Sequence, residues 1–173
     1  MKRLIIAEMG IAHLGDIMIA KKMILVAKMV GADIIKTQLY DVDALFPDKK
    51  VMAQGKNWYD VVKKCQLTQW QLDELANFSD RIGLEFLASA FDLRRLGWLE
   101  EAGVKRHKIA SRQVEDAAYI EAVVATGKPI IASLPPGKSF ASLLPSDRTS
   151  ILYCIPEYPA SPKDIDWNEL SLH

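Results

Sequence analysis

Six short apolar runs recur along this chain, and their order restricts the fold more than any other feature. "RLIIAE" (3–8), "DIIKTQLY" (33–40), "LEFLASAF" (84–91), "RHKIAS" (106–111), "KPIIASL" (128–134) and "SILYCI" (150–155) read as strands. Between them, "IMIAKKMILVAKMVGA", "LTQWQLDELANFSDRIG", "DLRRLGWLEEAG" and "EDAAYIEAVVATG" have apolar residues at helical spacing and close on glycine or a Gly-Ala pair. Asp16 and Thr68 are suitable N-caps for the first two helices. Residues 41–66 are polar and mixed, which predicts a long loop with a short helix at Tyr59–Lys64. Parallel strands cannot be joined by a tight turn and need a crossover of about a dozen residues or more. Strand, helix, glycine, strand therefore points to βαβ units and a parallel sheet. The strands are apolar on both faces, as expected between a helix layer and a packed barrel interior. The expected fold is α/β, a (β/α) TIM-barrel type that is incomplete, with about six parallel strands of eight in a single domain over 1–173. A full barrel typically takes ~250 residues. Met9, Met18, Met23 and Met29 are expected to fill the core.

Lys plus Arg and Asp plus Glu are both 22, and no block of one sign stands out. That argues against a nucleic-acid or membrane-surface partner. Cys65 and Cys154 stand far apart and form neither a disulfide framework nor a zinc motif. The apolar run before Glu8 is too short for a signal peptide, and no run reaches the ~20 residues of a membrane span. A soluble cytoplasmic protein is expected.

The chemistry gathers at the strand ends. Glu8 ends the first run, Lys36 and Gln38 the second, Ser89 the third, Lys108 and Ser111 the fourth and Ser133 the fifth, with Tyr158 just past the sixth. In a (β/α) barrel the active site is built at that face from several strands at once. Two lysines and several hydroxyls suit a small phosphorylated or carboxylated anion, and a carboxylate beside them can position a hydroxyl or take a proton. Singly, each residue has a plainer reading. Glu8 could pair with a lysine, Lys36 could extend to the surface, and His13 could be a loop residue bonded to backbone. The recurrence at successive strands is what carries the argument.

These stretches resemble the sialic acid (N-acetylneuraminate) synthase family. "IIAEMGIAHLGD" is similar to its first strand and loop, and "AKKMILVAKMVGADIIKTQLY" to its first helix and second strand, which ends Lys-x-Gln. "FLASAFD", "HKIASRQ", "GKPIIAS" and "LYCIPEYPASP" resemble further segments in the family's order. The resemblance implies a barrel followed by a small antifreeze-like domain. It implies condensation of phosphoenolpyruvate with N-acetylmannosamine or a related amino sugar, assisted by a divalent metal, Mn or Mg. It places Lys36, Ser89, Lys108, Ser111 and Ser133 at phosphoenolpyruvate-binding positions, and Glu8, Gln38 and Tyr158 near the sugar or the reacting centre.

The departures are equally specific. Arg112 and Gln113 stand where the family has Gly-Glu, Ala12 replaces Asn, Leu134, Pro135 and Pro136 replace Thr-Gly-Met, and Pro156 replaces a polar residue. The family's metal-binding histidines, last two strands and antifreeze-like domain have no counterpart up to His173. The expectation is a chain that is inactive or weak by itself, lacks the metal ligands, and has open sheet edges that invite a homo-oligomer. Two alternatives stand beside the synthase: a non-catalytic homologue binding an anionic metabolite or a partner chain, and another phosphoenolpyruvate-dependent deoxy-sugar-acid synthase.

Overall fold

Asp16 and Thr68 show how directly the local sequence sets the helices. In the structure, a computed structural model that describes residues 3–53, 55–137, 144–157 and 159–170, the Asp16 carboxylate accepts from the Met18 and Ile19 amides at 2.7 and 3.2 Å. Thr68 forms a reciprocal capping box with Gln71. The chain divides into two compact units, Met1–Lys105 and Arg106–His173.

The first unit runs β1 (Ile6–Gly10), α1 (Ile17–Met29), β2 (Ile34–Leu39), α2 (Val42–Leu45), β3 (Met52–Ala53), β4 (Lys56–Asn57), α3 (Tyr59–Lys64), α4 (Gln69–Arg81), β5 (Glu85–Ala90) and α5 (Leu93–Glu101). Its main sheet has the order β1-β2-β5 and is parallel throughout. Helix α1 buries Ala20, Ile24 and Ala27 and packs against α4, which buries Leu72, Leu75 and Ala76. Each fully buried leucine contributes about 2 kcal/mol of transfer free energy. Lys21 pairs with Glu74 at 2.8 Å, and Lys28 donates to the Gly83 carbonyl at 2.7 Å, so both ends of α1 are tied to the α4 region.

The second unit runs β6 (His107–Ile109), α6 (Ala117–Ala125), β7 (Ile130–Leu134), β8 (Thr149–Tyr153) and α7 (Trp167–Leu170), with 3-10 turns at Ser111–Gln113 and Pro162–Asp164. Its sheet has the order β6-β7-β8, again parallel. The six expected parallel strands are thus present as two sheets of three. In each sheet the outer strands have one neighbour among the described residues.

Three expectations need correction. Met9 is buried, but Met18 and Met29 are 59 and 76 % exposed. Helix α1 is apolar nearly all round, but among the described residues only Ala20, Ile24 and Ala27 of it are buried, and its outer flank is exposed. The segment 41–66 is less of a loop than expected. Besides the predicted helix at Tyr59–Lys64 it holds the four-residue α2 and an antiparallel β3-β4 pair, both too short to leave a periodic signal. The first strand spans 6–10 rather than 3–8, because a bulge after Glu8 carries pairing on to Gly10.

The loop after β1 depends on Gly15. Its φ is +79°, and a Cβ there would sit 2.1 Å from the Lys64 carbonyl oxygen. Backbone in that region costs a non-glycine residue of order 1–3 kcal/mol, and the clash adds to it. Gly15→Ala is expected to destabilise the protein by at least ~2 kcal/mol. An unchanged urea midpoint for this variant would refute the close approach.

Candidate active site: two sets of strand-end residues

In a parallel sheet, register decides which side chains share a face. Glu8 is opposite Lys36 and Gln38 is opposite Ser89. Since Lys36 and Gln38 are two apart on one strand, all four lie on one face of the first sheet, at the C-terminal ends of its strands. Glu8 Oε2 accepts from Lys36 Nζ at 2.7 Å, with the lysine side chain 13 % and the glutamate 51 % exposed. The sequence reading that Glu8 pairs with a lysine is therefore met, and its partner is the other residue singled out. Gly10 leaves room for the carboxylate, because a Cβ there would stand 3.3 Å from Glu8 Oε1. On the opposite face, Thr37 Oγ1 donates to the Gly10 carbonyl at 2.8 Å and fixes the bulge. Gln38 is half-buried and Ser89 is buried.

The second unit repeats the device with different partners. Lys108 Nζ donates to Ser133 Oγ at 2.7 Å and to the Ile109 carbonyl at 2.6 Å, and the residue is 6 % exposed. Lys108 is opposite Ile131, two residues from Ser133, so lysine and serine share a face. His107, one residue away, lies on the other face and is buried, as alternation predicts. Ser111 opens the 3-10 turn that follows β6 and is half-buried. Gln113, where the resemblance leads one to expect an acid, is buried, and its Oε1 accepts the Ala110 amide at 3.3 Å. Tyr158 lies outside the described residues.

His13 sits in the loop after β1 and is fully buried. Its Nδ1 accepts the Gly15 amide at 3.1 Å, so the neutral ring carries its proton on Nε2, which has no hydrogen-bond partner among the described residues. Burial pushes its pKa below the ordinary imidazole value. Among the described residues no three His, Cys, Asp or Glu side chains gather as a metal site. Glu8 is engaged by Lys36 and His13 Nδ1 by Gly15, so the described residues do not fit the divalent metal that the resemblance implies.

Sequence reasoning missed the groups that hold the rim. Tyr40 is buried just past β2; its hydroxyl donates to the Val62 carbonyl at 2.8 Å, and burial raises its pKa. Asp43 accepts from the Tyr59 hydroxyl and from Lys63, and both bonds hold its carboxyl below the usual range. Arg95 is buried against Asp92 and Asp41. The available signal was an aspartate directly after a strand end, at positions 41 and 92. Among the described residues no helix is long and apolar enough to cross a membrane.

The chain is thus an α/β protein of parallel strands that present lysine, carboxylate and hydroxyl groups at their C-terminal ends. It belongs to the NeuB family, which it matches over residues 23–172. It is 30 % identical to the N,N'-diacetyllegionaminic acid synthase of Legionella pneumophila, over 94 % of this chain and 51 % of that protein. It is 27 % identical to the N-acetylneuraminate-9-phosphate synthase of Homo sapiens, over 96 % of this chain and 50 % of that protein. Among solved structures, the sialic acid synthetase of Leptospira borgpetersenii, in complex with citrate, superposes with a TM-score of 0.82 at 28 % identity, covering 98 % of this chain and 60 % of that one. The chain spans about half the length of the curated relatives it matches.

The buried neutral imidazole has a pH consequence. With the folded pKa below the unfolded value, the His13 contribution is complete above about pH 6.5 and is lost as pH falls, by at most ~1.4 kcal/mol per pH unit. His13→Gln keeps an acceptor for the Gly15 amide but has no proton to gain. Between pH 7.5 and 5.5 the wild type is expected to lose more stability than His13→Gln in urea titrations. Parallel losses would show that His13 is not held neutral.

Proposed function

We propose that this chain carries phosphoenolpyruvate-binding and sugar-facing residues of a nonulosonate synthase, on strands that belong to a (β/α) barrel. The acceptor in this reading is N-acetylmannosamine or a related amino sugar. Membership of the NeuB family supports it, since several of the matched relatives are named as sugar-acid synthases. The observation that carries it is the Lys108–Ser133 pair, in which a lysine is drawn into a strand end and held by a serine hydroxyl at 2.7 Å. A purely structural lysine extends its ammonium to water. This one is nearly buried, at a position where the family resemblance expects an anion.

The reaction requires C3 of phosphoenolpyruvate to form a bond to the sugar aldehyde carbon while the aldehyde oxygen gains a proton. Water adds at C2 and the C2–O bond to phosphate breaks, releasing inorganic phosphate and leaving a keto acid. The substrate brings a phosphate and a carboxylate, both of them groups that a lysine ammonium can meet. In this reading Lys36, Ser89, Lys108, Ser111 and Ser133 stand at phosphoenolpyruvate-binding positions. Glu8, Gln38 and Tyr158 serve the sugar. Glu8 is half exposed, so it is open to a sugar hydroxyl while it orients Lys36. The roles given to these residues are binding, orientation and the holding of a proton at a carboxylate oxygen.

The test is phosphoenolpyruvate binding by calorimetry, together with phosphate release in the presence of N-acetylmannosamine and manganese. Lys108→Met should weaken binding by ~1.5–3 kcal/mol, the scale of a hydrogen bond to a charged group. Equal affinity in wild type and variant would remove Lys108 from the site, and no binding by the wild type would overturn the reading.

A further inference from the structure

Two aspartates in the first unit do the same thing at two strand ends. Asp41, just past β2, caps α2: its Oδ1 accepts the Asp43 and Ala44 amides at 3.1 and 3.2 Å. Asp92, just past β5, caps α5: its Oδ1 accepts the Arg95 amide at 2.8 Å. In both, the second oxygen turns to the Arg95 guanidinium. Nη1 meets Asp92 Oδ2 at 2.9 Å, and Nη2 meets Asp41 Oδ2 at 3.4 Å. The arginine side chain is 6 % exposed, and its guanidinium lies 5.0 Å from the centre of the Trp98 ring.

What Asp41 begins is the segment 41–66. Its described residues pack on all three strand ends of the unit. Tyr40, Val42 and Tyr59 form a buried cluster against which Ile11 from the β1 loop and Phe91 from the β5 end are packed. Val62 accepts the Tyr40 hydroxyl, Gln66 Oε1 accepts the Val42 amide at 2.9 Å, and Lys64 abuts Gly15. Helix α2 is too short to hold itself in water. Its start is fixed by a cap whose free oxygen is held by a cation 54 residues away.

We infer that Arg95 is a positioning residue: it clamps the segment 41–66 to the β5 end and so orders the rim that carries Lys36, Gln38 and Ser89. The planar fork is what the role requires, since one guanidinium reaches two carboxylates with different nitrogens while its plane rests on an indole. A lysine offers a point charge and cannot do this. Removing the cation also leaves Asp41 and Asp92 without the charge that lies between them. The consequence for ligand affinity rests on the synthase reading given above; the clamp itself does not.

The test compares Arg95→Lys and Asp41→Asn with wild type by hydrogen–deuterium exchange and by calorimetry with phosphoenolpyruvate. Asp41→Asn retains a capping side chain and removes only the charge that meets Arg95, so it serves where Arg95→Lys folds poorly. Both variants should speed exchange about tenfold or more in residues 42–64 and leave 34–38 and 86–90 protected, as a local opening requires. Their phosphoenolpyruvate affinity should fall about tenfold, the order of loss expected when a site is held less well in place. Unchanged exchange at 42–64 in both variants, or an equal rise in strands and segment alike, overturns the clamp. Faster exchange at 42–64 with unaltered affinity overturns its role in ordering the rim. A wild type that binds no phosphoenolpyruvate overturns the synthase reading, while the exchange data still decide the clamp.

Discussion

Parallel pairing is the constraint on which the rest of the first unit depends. With β1, β2 and β5 all running the same way, every strand must be re-entered from the far end, so helices supply the returns. The three C-terminal strand ends then lie side by side, and the loops that leave them, at 11–16, 40–41 and 91–92, become neighbours although they are tens of residues apart. Register does the rest. Glu8 meets Lys36 and Gln38 meets Ser89 because the strands align, not because a loop folds onto them. Residues placed by strands are held more rigidly than residues placed by loops, which is where a binding group gains most.

The bulge after Glu8 modifies this frame at one point. Two residues, Met9 and Gly10, advance β1 while β2 advances by one, from Lys36 to Thr37. Met9 goes into the core, Gly10 passes close to the carboxylate without a side chain, and Thr37 ties the Gly10 carbonyl. The chain then turns through His13 and Gly15, which is pressed against Lys64. Bulges often stand next to functional sites, where they re-aim a side chain. Here the bulge follows the carboxylate directly, and pairing resumes at Gly10 before the chain leaves the sheet.

The elements legible in the sequence are those encoded within a few residues. Asp16 and Thr68 cap the helices they were expected to cap, and each apolar run overlaps a parallel strand, the first displaced toward Gly10 by the bulge. The lysine and serine positions could be read from strand periodicity, since residues two apart share a face. What could not be read is long in sequence separation or masked by composition. The Arg95–Asp41 contact joins residues 54 apart, and "DLRRLG" gives no sign of which arginine turns inward. Arg94 lies over the same Trp98 ring, yet Arg95 makes the buried ion pairs. Helix α1 misled for the opposite reason. Apolar residues cover nearly all of it, so periodicity could not say which flank meets α4, and Met18 and Met29 belong to the open one. For Glu8, the plain reading of an ion pair and the functional one describe the same contact.

The two lysines solve one problem in two ways, and the difference bears on how an anion would be received. Drawing an ammonium toward a strand end costs desolvation unless something replaces its water. At Lys36 the replacement is a carboxylate, so the lysine is oriented but its charge is matched by Glu8. An anion approaching Lys36 also meets the Glu8 carboxylate. At Lys108 the acceptors include the Ile109 carbonyl and the Ser133 hydroxyl. These dipoles fix the ammonium without adding a negative charge of their own, and the serine hydroxyl keeps a proton to donate. Lys36 is thus oriented by a carboxylate at the rim, and Lys108 is drawn in against a carbonyl and a hydroxyl.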